Sequence, residues 1–131
     1  MTKINDKKLN EAVLYAYEKG CAFLEEELFS EAATQFKIAA EQGHAFAQER
    51  LGELYMGGMG VEEDQKMGVM WLRKSAAQNN ADACRAMGLC YWYGDGVEEN
   101  NVEAKKWFQK ALDLGCEGAK KWIELLEQEK G

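Results

Sequence analysis

Apolar and polar residues alternate with a helical period along most of the chain. In residues 45–56 and 81–92, apolar or small side chains recur at the i, i+4, i+7 and i+8 positions that form one face of an amphipathic helix. The chain contains no proline, so no residue of that kind interrupts the pattern. The stripe consists of Ala47, Leu51, Leu54 and Tyr55 in the first segment and of Ala83, Met87, Cys90 and Tyr91 in the second.

These two segments belong to an internal repeat. Residues 45–80 align with residues 81–116 without a gap, and eleven positions are identical, which is well above chance for such a window. The identical pairs are Ala45/Ala81, Ala47/Ala83, Gly52/Gly88, Tyr55/Tyr91, Gly58/Gly94, Gly60/Gly96, Val61/Val97, Glu62/Glu98, Glu63/Glu99, Trp71/Trp107 and Lys74/Lys110. A period of this length indicates one supersecondary unit per repeat and predicts a stacked array.

Each unit is predicted to contain a second helix after a turn. The second helices are expected over residues 65–77 and 101–114, with Asp64 and Asn100 as N-caps because each side chain can accept a hydrogen bond from a free amide at the helix start. A more diverged copy of the unit occupies residues 10–43. The link between its two helices is shorter, and Ser30 is the expected N-cap of its second helix. The residues expected in the left-handed conformation after second helices are Gly43, Asn79 and Gly115.

The segments GGMGVEED (57–64) and YGDGVEEN (93–100) share a G-x-G-V-E-E core. Two consecutive antiparallel helices need a reversal of the chain, and glycine supplies positive φ at low steric cost. Val61 and Val97 are expected to return to the core. A phosphate-binding loop would need a lysine and a hydroxyl after the glycines, and a calcium loop would need more acids than Asp95. We therefore expect a turn at both places and no ligand.

The two-helix unit resembles the tetratricopeptide pattern L-G-x2-Y followed by A-x3-F. The matches are Leu51-Gly52-x2-Tyr55 with Gly68-x3-Leu72, Met87-Gly88-x2-Tyr91 with Ala104-x3-Phe108, and Gly20-x2-Phe23 with Ala32-x3-Phe36. The longer units, with their G-x-G-V turn, closely resemble the Sel-one-like repeat family. They depart from its pattern where Gly68 replaces the usual alanine and Asn100 the usual aspartate.

This resemblance implies an all-α fold. The expected architecture is a right-handed α-α superhelix, or solenoid, of about three helix-turn-helix repeats followed by a C-terminal capping helix. Residues 1–131 are expected to form a single domain, with repeats at about 10–43, 44–80 and 81–116 and the capping helix at about 117–130. A lone terminal helix of this kind closes the end of a solenoid.

Charge and cysteine content narrow the partners and the compartment. The net charge is −7, and an acidic surface repels nucleic acid and anionic lipid, so neither is an expected partner. No segment approaches the about 18 apolar residues of a membrane helix, and MTKINDKKLN does not read as a secretory signal. We expect a cytoplasmic protein whose four cysteines are free, buried thiols.

The sequence offers little for catalysis. His44 is the only histidine, and it falls between two helices, where a linker or capping role is expected. Ser75 occupies a small-residue packing position, and Cys84 and Cys90 lack the companions that a zinc site needs. We expect no catalytic residue, no metal and no cofactor, and therefore no enzyme, although hydrolytic activity has been suggested for some members of the resembled family.

The first helices of such an array line its concave side, where related repeats bind peptides or protein segments. Gly20, Gly52 and Gly88 set the register. They lie inside helices, where glycine costs about 1 kcal/mol relative to alanine, so they are expected where neighbouring helices approach closely. The register predicts these partner-binding residues: Tyr17, Phe46, Glu49, Arg50, Glu53, Met56, Arg85, Leu89, Trp92 and Lys121.

Several of these positions carry large apolar side chains or arginine, which are enriched at binding hot spots. Packing of the aromatic residues between helices is the alternative that the sequence leaves open. We expect a protein-interaction module that binds a peptide or partner protein in its groove, as a monomer or weak homodimer. An immunity-type protein or inhibitor that blocks one specific partner is the alternative.

Overall fold

The structure is a computed structural model that describes residues 2–130 of the chain, with side chains over residues 7–128. Within residues 2–130 it contains seven α-helices and no strand. The helices are α1 (Thr2–Glu25), α2 (Phe29–Glu41), α3 (Ala45–Gly57), α4 (Gln65–Ala76), α5 (Ala81–Tyr93), α6 (Asn101–Asp113) and α7 (Lys120–Lys130), the last preceded by a 3-10 turn at Glu117–Ala119. The all-α prediction is confirmed, although α1 begins about two turns before the expected residue 10.

The helices form hairpins that stack in chain order. α1 packs against α2, α3 against α4 and α5 against α6, while α2 contacts α3, α4 contacts α5 and α6 contacts α7. Contacts between sequential neighbours are the defining property of a solenoid, so this architecture is confirmed as well. We call α1, α3, α5 and α7 the first helices, and α2, α4 and α6 the second helices.

Two apolar cores lie within the stack. One is formed by α1, α2 and α3 around Phe36 and Leu51, and the other by α4 to α7 around Leu72, Met87 and Phe108. All five side chains are almost fully buried. The periodic stripes seen in the sequence therefore face the interior, where burial of a large apolar side chain contributes about 1.5–3 kcal/mol.

Glycine inside the first helices allows the second helices to approach closely. A Cβ atom at Gly88 would lie 2.6 Å from the ring of Phe108, and one at Gly20 would lie 2.6 Å from the ring of Phe36. At Gly52 it would lie 2.9 Å from the carbonyl oxygen of Gly68. The prediction of close approaches is confirmed. It also explains why Gly68 stands where alanine is usual, since its own Cβ would meet the sulfur of a methionine on α3.

Each G-x-G segment is a turn that lies on the preceding repeat. Gly58, Gly60, Gly94 and Gly96 all have positive φ, between 64° and 74°. A Cβ atom at Gly60 would lie 2.3 Å from the backbone carbonyl of Phe29, at the start of α2. The second glycine of the motif thus packs one repeat against another, and the turn prediction is confirmed. Val61 and Val97 pack against the two cores as expected.

Most of the predicted helix ends are confirmed. The Asp64 carboxylate accepts a hydrogen bond from the amide of Met67 at 3.0 Å, and the Asn100 side chain accepts from two amides of α6. The left-handed residues are Gly43 (φ 92°), Asn79 (φ 65°) and Gly115 (φ 103°).

The prediction for Ser30 is wrong. α2 begins one residue earlier, at Phe29, with Leu28 in the capping position and no side-chain cap. The Ser30 hydroxyl instead donates a hydrogen bond to the carbonyl oxygen of Gly60 at 3.4 Å. A residue that resembles a cap in the sequence therefore joins the first repeat to the turn of the second.

The terminal helix α7 continues the register of α5. Its buried residues Ile123 and Leu126, together with Ala119 of the preceding 3-10 turn, correspond to Met87, Cys90 and Ala83 under the displacement that relates the two repeats. Trp122 stacks on Phe108 with ring centroids 5.7 Å apart. The same displacement places Glu124, which is exposed, at the position that Gly88 holds in α5. α7 is the last helix of residues 2–130, so no second helix of that range covers Glu124.

Candidate partner-binding surface

The predicted binding residues lie on successive first helices. We define the first-helix face as the surface formed by Tyr17, Phe46, Arg50, Glu53, Met56, Arg85 and Leu89. At its N-terminal end the ring of Tyr17 stacks on His44 at 4.6 Å and lies 6.2 Å from the ring of Phe46. Phe46 is 56% exposed, a large fraction for phenylalanine. The structure therefore brings two predicted aromatic residues together at the surface.

His44 joins this aromatic group for a structural reason. Its Nδ1 atom accepts a hydrogen bond from the Ala47 amide at 3.1 Å, which makes it the N-cap of α3. Burial lowers the pKa of His44, so the ring stays neutral and able to accept at neutral pH. The predicted capping role is confirmed. No pattern in the sequence indicates that the ring also contacts Tyr17.

Charged residues occupy the centre of the face. Arg50 forms an ion pair with Glu53 at 3.5 Å on the surface of α3. Burial, followed by the nearby carboxylate of Glu49, raises the pKa of Glu53 to about 7, against the opposing effect of Arg50 and Arg85. The Glu53 side chain is still 42% exposed. The raised pKa of Glu53 therefore reflects partial desolvation by the neighbouring helices and not full removal from water.

A mostly apolar cleft of about 360 Å³ opens between α3 and α5. Met56 and Leu89, both predicted to bind a partner, form part of its lining, and Leu72 of α4 contributes to it. The acidic residues Glu53 and Asp95 also line the cleft. Sequence reasoning missed Asp95, because its position depends on how the turn after α5 folds back. The remaining lining residues are Gly57, Ala86 and Cys90.

Trp92 of α5 lies beside the capping helix α7, and Lys121 belongs to α7. Trp92 is half-buried, and its ring meets the ring of Trp122 edge-on at 5.1 Å. The amino group of Lys121 lies 5.6 Å from the ring of Trp122. Trp92 therefore packs between helices, as in the alternative that the sequence left open, and we place it outside the first-helix face.

Glu49 departs from its predicted exposed position. It is only 7% exposed, and its carboxylate accepts a hydrogen bond from the Asn80 side-chain amide at 2.9 Å. The same amide donates to the Ser75 hydroxyl at 2.9 Å, and that hydroxyl donates to the Ala45 carbonyl oxygen. Glu49 thus belongs to a polar network that joins α3 and α4 to the N-terminus of α5, and it offers little surface to a partner.

Replacement of Asn80 by alanine should destabilise the protein by about 2 kcal/mol, because it removes the N-cap of α5 and leaves a buried carboxylate without its donor. Asn100→Ala is the matched control. Asn100 also caps a helix but lies at the surface, so its loss should cost about 1 kcal/mol. Urea unfolding measures both values, and equal losses would show that the Glu49 contact contributes nothing.

The cysteine thiols show no sign of an activated nucleophile or a metal site in the described part of the chain. All four cysteines are free, as predicted, but only Cys84 and Cys90 are buried. Burial raises the pKa of Cys90 to about 11, so its thiolate is scarce at neutral pH. In the part of the chain that the structure describes, no group of three or more His, Cys, Asp or Glu residues could hold a metal ion. Over the same part, every helix is too short or too polar to cross a bilayer.

The stacked hairpins and the open face of their first helices define the class of this protein as an α-helical repeat protein of the solenoid type. The sequence profile of the Sel1 repeat matches residues 45–80 and 81–116, which together make up more than half of the chain. The protein belongs to the Sel1 repeat family, so the predicted resemblance to Sel-one-like repeats is confirmed. Proteins of this family generally mediate protein–protein interactions and are not typically enzymes.

The solved structures that are similar to this chain include the following three. The Sel1 repeat protein from Oxalobacter formigenes is 29% identical with a TM-score of 0.78, and the alignment covers 95% of this chain and 98% of that one. The cysteine-rich protein B (HcpB) of Helicobacter pylori is 27% identical with a TM-score of 0.68, over 88% and 94% of the two chains.

The third is c5321, a protective antigen of uropathogenic Escherichia coli with an SLR fold, at 33% identity and a TM-score of 0.76. That alignment covers 79% of this chain but only 23% of the antigen, so this chain spans about a quarter of the antigen's length. A comparison with curated protein sequences finds no significant match.

Proposed function

We propose that this protein binds another protein or a peptide segment through the first-helix face. The observation that carries the proposal is the apolar cleft between α3 and α5, which lies on the same face as the exposed ring of Phe46. Apolar and aromatic surface grouped beside charged residues is typical of interaction sites, with the apolar part supplying affinity and the charges orienting the partner.

The role that we propose is binding without chemical change to the partner. The nearest candidate for a reactive group on the face is Glu53, whose carboxyl has a pKa close to neutrality. General acid–base catalysis would need a second group within hydrogen-bond reach of the same substrate atom. The residue paired with Glu53 is Arg50, a permanent cation that orients partners and does not exchange protons.

The test compares two variants of the face with one matched control. Phe46→Ser removes the exposed ring, and Leu89→Ser makes the cleft polar. Ile38→Ser removes an equally exposed apolar residue (48%) from α2, a second helix. Affinity capture with the full chain, quantified for each retained protein, should show an about 10-fold or larger loss with the first two variants and none with the control.

Thermal unfolding of each variant separates lost binding from lost folding, because a folded variant retains its transition. Retention of the same proteins in the same amounts by Phe46→Ser, Leu89→Ser and the wild type would overturn the proposal.

A further inference from the structure

We infer that the cleft between α3 and α5 takes a lysine or arginine side chain of the partner, with the aliphatic stem on its apolar floor and the cation between Glu53 and Asp95. This inference rests on the proposed function and specifies its chemistry. Long basic side chains bury their methylene groups against apolar surface while the charge remains at a polar rim. The cleft offers both elements, and its volume of about 360 Å³ is on the scale of a side chain and not of a folded domain.

The charged residues that line the cleft indicate that the bound side chain of the partner is a cation. Of the described residues that line it, Glu53 and Asp95 are charged, and both are acidic. The floor is formed by apolar or weakly polar groups, including Met56, Leu72 and Leu89. An acidic partner side chain would meet two carboxylates there, and the net charge of −7 would oppose its approach. A neutral side chain would fill the floor but leave the carboxyl groups partly desolvated without a new partner.

The pKa of Glu53 indicates a carboxyl group whose charge the neighbouring cations compensate only in part. Arg50 lies 3.5 Å away, and Arg85 is also near, yet burial and Glu49 together outweigh both and raise the pKa of Glu53 to about 7. The two arginines therefore do not fully compensate for the desolvation of this carboxyl and its repulsion by Glu49. A further cation would stabilise its ionised form.

Because binding of a cation is linked to ionisation of Glu53, the affinity for the partner depends on pH. A partner cation binds the ionised form of Glu53, so below the pKa a proton must be released first and the affinity falls as the pH decreases. With a pKa of about 7, affinity should drop about 10-fold between about pH 8 and about pH 6. The charged and titratable groups that face this region from the packed elements are Tyr17, Glu49, Arg50, Arg73, Arg85, Cys90 and Asp95.

The experiment uses fluorescent nonapeptide pools with randomised flanks and one fixed central residue. The central residue is lysine, arginine, norleucine or glutamate, and norleucine reproduces the lysine stem without its charge. Anisotropy titrations with the full chain should give about 10-fold tighter binding for the lysine and arginine pools than for the norleucine pool. Glu53→Gln and Asp95→Asn should remove this preference, and Glu53→Gln should also remove the pH dependence.

Glu41→Gln is the charge-matched control, since Glu41 is exposed at the end of α2. It should retain the preference for basic pools. The inference is wrong if the norleucine or glutamate pool binds as tightly as the lysine pool, or if Glu41→Gln loses as much as Glu53→Gln. If the norleucine pool binds most tightly while Phe46→Ser still lowers the affinity for every pool, the proposed function is supported and the cationic occupant is ruled out. If no pool binds, the cationic occupant is ruled out, and the affinity capture with Phe46→Ser and Leu89→Ser decides the proposed function separately.

Discussion

Replacement of Gly60 by alanine is expected to destabilise the protein by about 2–5 kcal/mol. A left-handed backbone costs an L-residue about 1–2 kcal/mol, and forcing atoms apart in a packed contact costs a further 1–3 kcal/mol. Gly60 has a φ of 74°, and the added Cβ would lie 2.3 Å from the backbone of Phe29. Because backbone atoms cannot rotate away, the turn of the second repeat would have to separate from α2.

Two other glycines of the same chain divide this cost into its parts. Gly43 has a φ of 92° with nothing within 4 Å of the Cβ position, so Gly43→Ala should show only the backbone cost of about 1–2 kcal/mol. Gly118 has neither a positive φ nor a neighbour, and its replacement should be neutral or slightly stabilising. Chemical denaturation gives all three values. A Gly60→Ala variant no less stable than Gly43→Ala would show that the inter-repeat contact is not tight.

The second large effect concerns the pair Gly88 and Phe108. Phe108→Ala should cost about 3–5 kcal/mol, because it empties a fully buried site in the core of α4 to α7. Gly88→Ala should cost about 1–2 kcal/mol in the wild type, since its Cβ would lie 2.6 Å from a ring that has no free space to move into. In the Phe108→Ala background the same change should instead stabilise by about 1 kcal/mol, the helix preference of alanine over glycine.

A double-mutant cycle measured by urea unfolding tests this reversal of sign. The expected coupling between the two positions is about 2–3 kcal/mol, which is large for one pair of residues. Additive effects would mean that the ring of Phe108 does not require glycine opposite it, and the explanation of glycine inside α5 would fail.

Local signals in the sequence predicted much of this fold. The helical stripe at Leu51 and Met87, the caps at Asp64 and Asn100 and the left-handed residues after helices depend on neighbours within about one turn. Comparison of the repeats extended the prediction to Gly88, because a glycine that recurs inside a helix points to a close contact.

Features that depend on how repeats stack were not predicted. Ser30 has the chemistry of a cap but bonds to a turn thirty positions away, and Glu49 has the register of a surface residue but lies against Asn80. Both outcomes are set by the distance between adjacent repeats, which no local pattern encodes. For the same reason the helical register placed Trp92 among the surface candidates, whereas in the structure it packs against Trp122 of the capping helix.

The candidate surface also combines features that local sequence predicts with features that depend on how the repeats stack. Register along the first helices placed Phe46, Met56 and Leu89 on one face, since helical periodicity fixes which residues share a side. The cleft itself also requires Leu72 from a second helix and Asp95 from a turn, and only the folded arrangement brings these to Leu89.

The glutamate at position 124 has a practical consequence for building longer versions of this protein. In α1, α3 and α5 the equivalent residue is glycine, and each of these helices has a second helix packed over it. The second helix places a phenylalanine ring against that glycine in the first and third repeats, and Leu72 in the second. An engineered array extended at α7 with another second helix would bring such a side chain against Glu124, so that residue would have to become glycine in the same design. The residue at this one position therefore distinguishes the first helices that carry a second helix from α7, over which no second helix lies within residues 2–130.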